Sequence, residues 1–275
     1  MSDLTQMSPA EIILLGCGIC VLITVFFTVQ LLSQHLFSWK YPKEQKAIVI
    51  IILMAPLYAI VSYVGLLDFR SSIAFFMFLE SIKECYEALV IAKFLALMYS
   101  YLNISLSKNF VPDEIKGRAI HHSFPLTLFQ LLKYWTWQFV AIRPICSLLM
   151  IVCQLLGFYT SLVSWTFTII LNLSVSLALY SLVVFCHVFA KELEPHSPLA
   201  KFMCIKGIGV VLEILVLIGV IKPRHPWLDV EHIEEGIQNI LVCIEMVAFS
   251  VIQRYAYSVE PYSRQVSKWK LKKDE

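Results

Sequence analysis

The chain has 275 residues, of which 59% are hydrophobic and only 15% charged, with a formal net charge of +2. A soluble domain carries about 25% charged and 45–50% apolar residues, so this composition excludes a water-soluble enzyme and a nucleic-acid-binding module. A hydrocarbon core about 30 Å thick takes about 20 apolar residues per helix, and the length then fits one all-α, polytopic membrane protein with short loops.

The opening residues MSDLTQMSPA are acidic, and the apolar run behind them is too long for a cleavable signal. Ser8-Pro9-Ala10-Glu11 has the form of a capping box with proline at the first helical position. Seven spans follow in chain order, at residues 12–32, 47–67 (with Pro56), 73–101, 134–156 (with Arg143-Pro144), 165–188, 202–221 and 237–255. The longest loop, 103–133, contains a short surface helix around 112–116. Residues 1–11 form the N-terminal segment, 12–256 the seven-helix transmembrane domain, and 257–275 a basic tail.

Lys and Arg sort strongly between alternate loops. One side holds only Arg70, Lys222 and Arg224. The other holds fifteen: Lys40, Lys43 and Lys46, four in the 103–133 loop, Lys191 and Lys201, and six from Arg254 onward. The basic side faces the cytosol, which places the N-terminus outside and the C-terminus inside. A reporter fused to the N-terminus is therefore expected to be extracytosolic and one at the C-terminus cytosolic. Protease protection that puts both on one side would defeat the seven-span reading.

Ionisable groups at the centre of a span cost roughly 2.5–3.5 kcal/mol each and survive by facing protein or water. Span 3 carries Glu80, Lys83, Glu84 and Glu87 at spacings of three and four, on one broad helical face. Lys83 is placed to pair with Glu80 and Glu87, whereas Glu84 needs a partner from another helix. Candidates are Arg143 on span 4 and Lys206 on span 6. Gln238, Asn239 and Glu245 on span 7 and Asn172 on span 5 complete the polar set. Two readings fit: a substrate path through the bundle, or a buried network that glues helices together. Pro144 removes a helical donor next to Arg143, and an arginine there can bind the freed carbonyl or a ligand anion.

Other chemistry is not supported. All eight cysteines fall inside apolar runs, with no zinc-ligand spacing in a polar setting. An intramembrane zinc hydrolase needs histidines inside the spans, yet His187 alone is close to one, and His35 is assigned to a helix end. No phosphate loop, dinucleotide fingerprint or nucleophile elbow is present. The sequence thus implies no catalytic group, cofactor or metal.

The segments SIKECYEALVIAKFLALMYSYLN, IKGRAIHHSFPLTLF, LKYWTWQFVAIRPICSLLM, NLSVSLALYSLVVFCHVFAKEL, PLAKFMCIKG and IQNILVCIEMVAFSVIQRYAY resemble the family of the organic solute transporter alpha subunit and transmembrane protein 184. The wording is nearest the plant Lazarus-1 branch. The resemblance implies seven helices with an outside N-terminus, and a carrier or carrier-like scaffold for amphipathic organic solutes such as steroid conjugates and organic anions. For the plant branch it implies a link to hormone signalling and programmed cell death, in the vacuolar, plasma or endoplasmic-reticulum membrane. The alternative is a seven-helix receptor, or a signalling or trafficking scaffold without transport. Expected partners are the lipid bilayer, anionic lipid at the basic face, an amphipathic solute, and a second copy or another subunit. Lys272 and Lys273 either add to lipid attraction or act as a di-lysine sorting signal.

Overall fold

The computed structural model describes residues 8–67, 73–102, 128–194, 198, 201–202, 233–260 and 262. Among them the regular elements are helices: α1 (Pro9–Phe37), α2 (Pro42–Ile52), α3 (Met54–Leu67), α4 (Ile73–Tyr101), α5 (Leu128–Leu155), α6 (Ser161–Val188), the short α7 (Ala190–Leu193) and α8 (Ile233–Ala256). Five stretches are long and apolar enough to cross a membrane: Ala10–Phe37, Pro42–Leu67, Leu131–Leu155, Ser161–Val188 and Gly236–Ala256. Large apolar side chains such as Leu22, Phe26, Leu162 and Leu155 lie bare on their surfaces. Water does not tolerate such faces; lipid does. The chain is an integral, multi-pass membrane protein. The predicted span at 202–221, with Lys206, lies outside the described residues apart from its first position, as do the surface helix at 112–116, Lys272 and Lys273.

Helix ends follow local chemistry, and most helices run beyond the predicted spans. α1 begins with the expected capping box, Ser8 N–H donating to Glu11 Oε2 at 2.8 Å and Glu11 N–H to Ser8 Oγ at 3.3 Å. It continues to Phe37 because the polar residues of its last turns find partners: Ser33 Oγ donates to the Gln30 carbonyl, and His35 bonds the Tyr257 carbonyl just past the end of α8. Pro42 starts α2 five residues earlier than the apolar run suggests, since a proline at the first helical position gives up no needed donor. Pro56 cannot bond the Ile52 carbonyl, and the helix breaks at Leu53 between α2 and α3. Pro144, by contrast, stays inside α5.

The chain divides into two compact units, Met1–Ser72 with Ala200–Glu275, and Ile73–Leu199. In the first, α1, α3 and α8 pack against one another. Their core holds Cys17, Leu66 and Cys243, flanked by Tyr63 and Ile240. Gly18 permits this approach, since a Cβ there would stand 3.1 Å from the Tyr63 hydroxyl oxygen. In the second, α5 packs between α4 and α6. Ala88 and Ile91 of α4, Phe139 of α5 and Ala178 of α6 form its core; small residues let membrane helices come close. Thr136 and Ser181 share a hydrogen bond of 3.0 Å, and Gln138 Nε2 donates to the Ser174 carbonyl at 3.2 Å. The Tyr99 and Phe185 rings stack at 4.9 Å.

Candidate functional site

Among the described residues of the second unit, the densest charge lies near the middle of α4 and α5. Lys83 Nζ sits 2.6 Å from Glu80 Oε2, one turn back on the same helix. Lys83 is buried while Glu80 stands half-exposed, so the lysine stem lies along the helix contact with its charge drawn outward. Arg143 forms an ion pair with Glu84, joining α5 to α4. The arginine side chain is 14% exposed and the glutamate 29%. Glu87 lies one turn along α4, half-buried. Cys85 and Cys146 flank the pair within reach of its charges. Because Pro144 has no N–H, the Val140 carbonyl lacks its helical donor, one turn from Arg143.

Lys206 lies outside the described residues, and the other predicted residues lie on α6 and α8. Asn172 lies exposed on α6, one position past the buried Leu171. Gln238, Asn239 and Glu245 belong to α8 in the first unit, where Gln238 is exposed, Asn239 buried and Glu245 half-buried.

The first unit holds a polar cluster that the sequence did not reveal. The Gln45 side chain, wholly buried, makes four bonds around the turn between α1 and α2. Its Oε1 accepts from Lys40 N–H at 2.7 Å and Tyr41 N–H at 2.9 Å, and its Nε2 donates to the Ser38 carbonyl at 2.7 Å and the His35 carbonyl at 3.3 Å. The His35 ring, also fully buried, bonds the Tyr257 carbonyl at 2.8 Å through Nε2. Gln253 Nε2 donates to the Ile51 carbonyl at 3.1 Å, beside the α2–α3 break. Tyr262 Oη donates to Glu44 Oε2 at 3.0 Å. Tyr257 Oη donates to the Lys201 carbonyl at 3.3 Å, with the Lys201 ammonium 5.9 Å from the Tyr257 ring centre. Sequence offered one partial signal, a proline at the start of α2 with Glu44 in its first turn. Nothing in the pattern linked His35 to a position more than 200 residues away.

Burial pulls the Lys201 pKa down to about 8, against the opposing pull of the Glu44 carboxylate. An unfolded lysine keeps its proton up to about 10.4. Between these values the unfolded chain binds more protons, so stability rises with pH across the window and falls as pH drops through 8. Thermal unfolding of the detergent-solubilised protein is expected to show this rise, and Lys201→Met to remove that component of it.

Both clusters lie inside the stretch 13–262, which matches the family described as organic solute transporter Ostalpha. The chain belongs to that family. No solved structure matches it. Membership of the organic solute transporter alpha family places the Glu84–Arg143 pair in a family of transporters rather than enzymes.

Proposed function

We propose that the protein is a seven-span carrier for amphipathic organic anions, with its N-terminus outside, and that Arg143 receives the anionic head group. The observation that carries this reading is the ion pair between Arg143 and Glu84, set near the middle of two adjacent helices in a chain of a transporter family. A guanidinium takes a carboxylate or sulfonate as readily as it takes Glu84, through two parallel hydrogen bonds. The solute anion then replaces the Glu84 carboxylate, and Lys83, which also acts on Glu84, holds the displaced charge. Val140 and Met150, on the same face of α5 as Arg143 and partly exposed, offer apolar contact for the body of the solute. The resemblance to the plant Lazarus-1 branch extends the proposal to solutes of hormone signalling and programmed cell death.

The test is flux of a radiolabelled steroid sulfate into proteoliposomes. Glu84→Gln is expected to lower flux at least fivefold while the amount of folded protein in the membrane is retained. If folded protein falls in proportion to flux, the pair is helix glue and the carrier site lies elsewhere.

A further inference from the structure

The residues just past α8 lie across the turn between α1 and α2, and His35 stands where they meet. It belongs to the last turn of α1, about 39 Å from the helix start and so beyond a hydrocarbon core of about 30 Å. Its ring is wholly buried. Nε2 faces the Tyr257 carbonyl at 2.8 Å, an acceptor, so Nε2 carries the hydrogen of a neutral imidazole. Nδ1 is then an acceptor, and it is buried without a hydrogen-bond partner among the described residues. The Tyr262 ring meets the His35 ring edge-on, with centres 5.9 Å apart, and lies 6.1 Å from the Tyr41 ring. Its hydroxyl donates to Glu44 Oε2. Tyr257 and Tyr262 thus form a strap from the end of α8 to the α1–α2 turn, and two of its contacts are made by His35.

A second proton on the ring has one place to go, Nδ1. Histidinium is a donor at both nitrogens. No acceptor among the described residues meets Nδ1, and a charge buried without a partner is costly. The neighbouring groups do not offset this. The Glu44 carboxylate is bonded to Tyr262 and acts on Lys201. Lys201, charged below about pH 8, stands over the Tyr257 ring and adds positive charge to the same cluster. The other titratable neighbours, Tyr41, Tyr257 and Tyr262, are phenols.

We propose that His35 is a proton-operated latch: a proton taken at Nδ1 releases the strap of Tyr257 and Tyr262 from the α1–α2 turn. The proton is bound by the released form, in which the imidazole reaches water, and not by the closed one. The closed form is therefore favoured at high pH and lost as pH falls. An imidazole in water is half-protonated at about pH 6.5, so the released population rises about tenfold between pH 7.5 and pH 5.5. This inference does not depend on the carrier reading.

The test is hydrogen–deuterium exchange of the full chain in detergent at pH 7.5 and 5.5, corrected for the intrinsic pH dependence of amide exchange. In the parent, exchange of segments 34–45 and 254–262 is expected to rise about tenfold at the lower pH, while that of 12–22 stays unchanged. His35→Gln keeps an amide donor for the Tyr257 carbonyl but takes up no proton, and is expected to abolish the rise. Tyr262→Phe loses the bond to Glu44 and keeps the ring. It is expected to raise exchange of both segments about fivefold already at pH 7.5, the worth of one hydrogen bond, and it carries the test of the strap if His35→Gln does not fold. Equal exchange at the two pH values, a rise in His35→Gln as large as the parent's, a rise of the same size in 12–22, or parent-like exchange in Tyr262→Phe would each overturn the proposal.

Discussion

Arg143→Met is expected to be among the most damaging single substitutions in the second unit, lowering stability by about 2–3 kcal/mol, below the ~3–5 kcal/mol of a fully buried pair because both side chains are only partly buried. The methionine keeps length and apolar bulk, so the loss isolates the charge. Glu84, bonded to Arg143 across the α4–α5 contact, is left without it among Glu80 and Glu87, two like charges on its own helix. Removing both charges reverses the argument. Glu84→Gln with Arg143→Met leaves a neutral amide beside a thioether, and a buried pair replaced by neutral groups is often nearly neutral for stability. The double variant is expected to regain most of the loss in thermal unfolding in detergent. Flux is expected to stay lost in it, because the guanidinium that receives the solute is gone. A double variant as unstable as Arg143→Met would show that the pair does not act as a unit.

Gln45→Leu is expected to destabilise the first unit by about 2–4 kcal/mol, since unsatisfied buried polar groups cost about 1–3 kcal/mol each and some of the four exposed here regain water. The leucine is similar in size, so packing is nearly kept and the turn between α1 and α2 loses only its hydrogen bonds. Two of these bond N–H groups at the start of α2, and two bond carbonyls at the end of α1, the groups that helix ends leave unpaired. Gln45→Glu separates the two halves. A carboxylate still accepts from Lys40 and Tyr41 but has no hydrogen to give to the His35 and Ser38 carbonyls. It is expected to fall between the parent and Gln45→Leu in thermal unfolding. Equal losses for the two variants would show that the side chain matters only through its donors.

Much of the helical outline was legible because each end is decided locally. The capping box at Ser8 and Glu11, the end of α4 at Tyr101 and the end of α6 at Val188 all coincide with signals of a few residues. The starts of α2 and α5 were placed late because an apolar run marks the hydrocarbon, not the helix. α2 begins at Pro42 and α5 at Leu128, before those runs. The face of α4 that bears Glu80, Lys83, Glu84 and Glu87 was equally legible, since helical spacing alone aligns them. Their partner was not. Arg143 and Lys206 were equal candidates on chemistry; packing of α5 against α4 pairs Glu84 with Arg143, and Lys206 lies outside the described residues.

The sequence by itself determined that this chain lives in a bilayer, that it is helical, and which family it belongs to. Those properties rest on composition, on runs of about 20 apolar residues and on long motifs, none of which needs a contact between distant residues. Only the tertiary structure decided that Gln45 and His35, which read as ordinary residues near helix ends, are buried and bonded, and that Asn172 faces outward. The physical reason is the same in each case. In a helix that is apolar on nearly every side, periodicity no longer marks which face is inside, and a polar side chain's place is set by the groups that meet it.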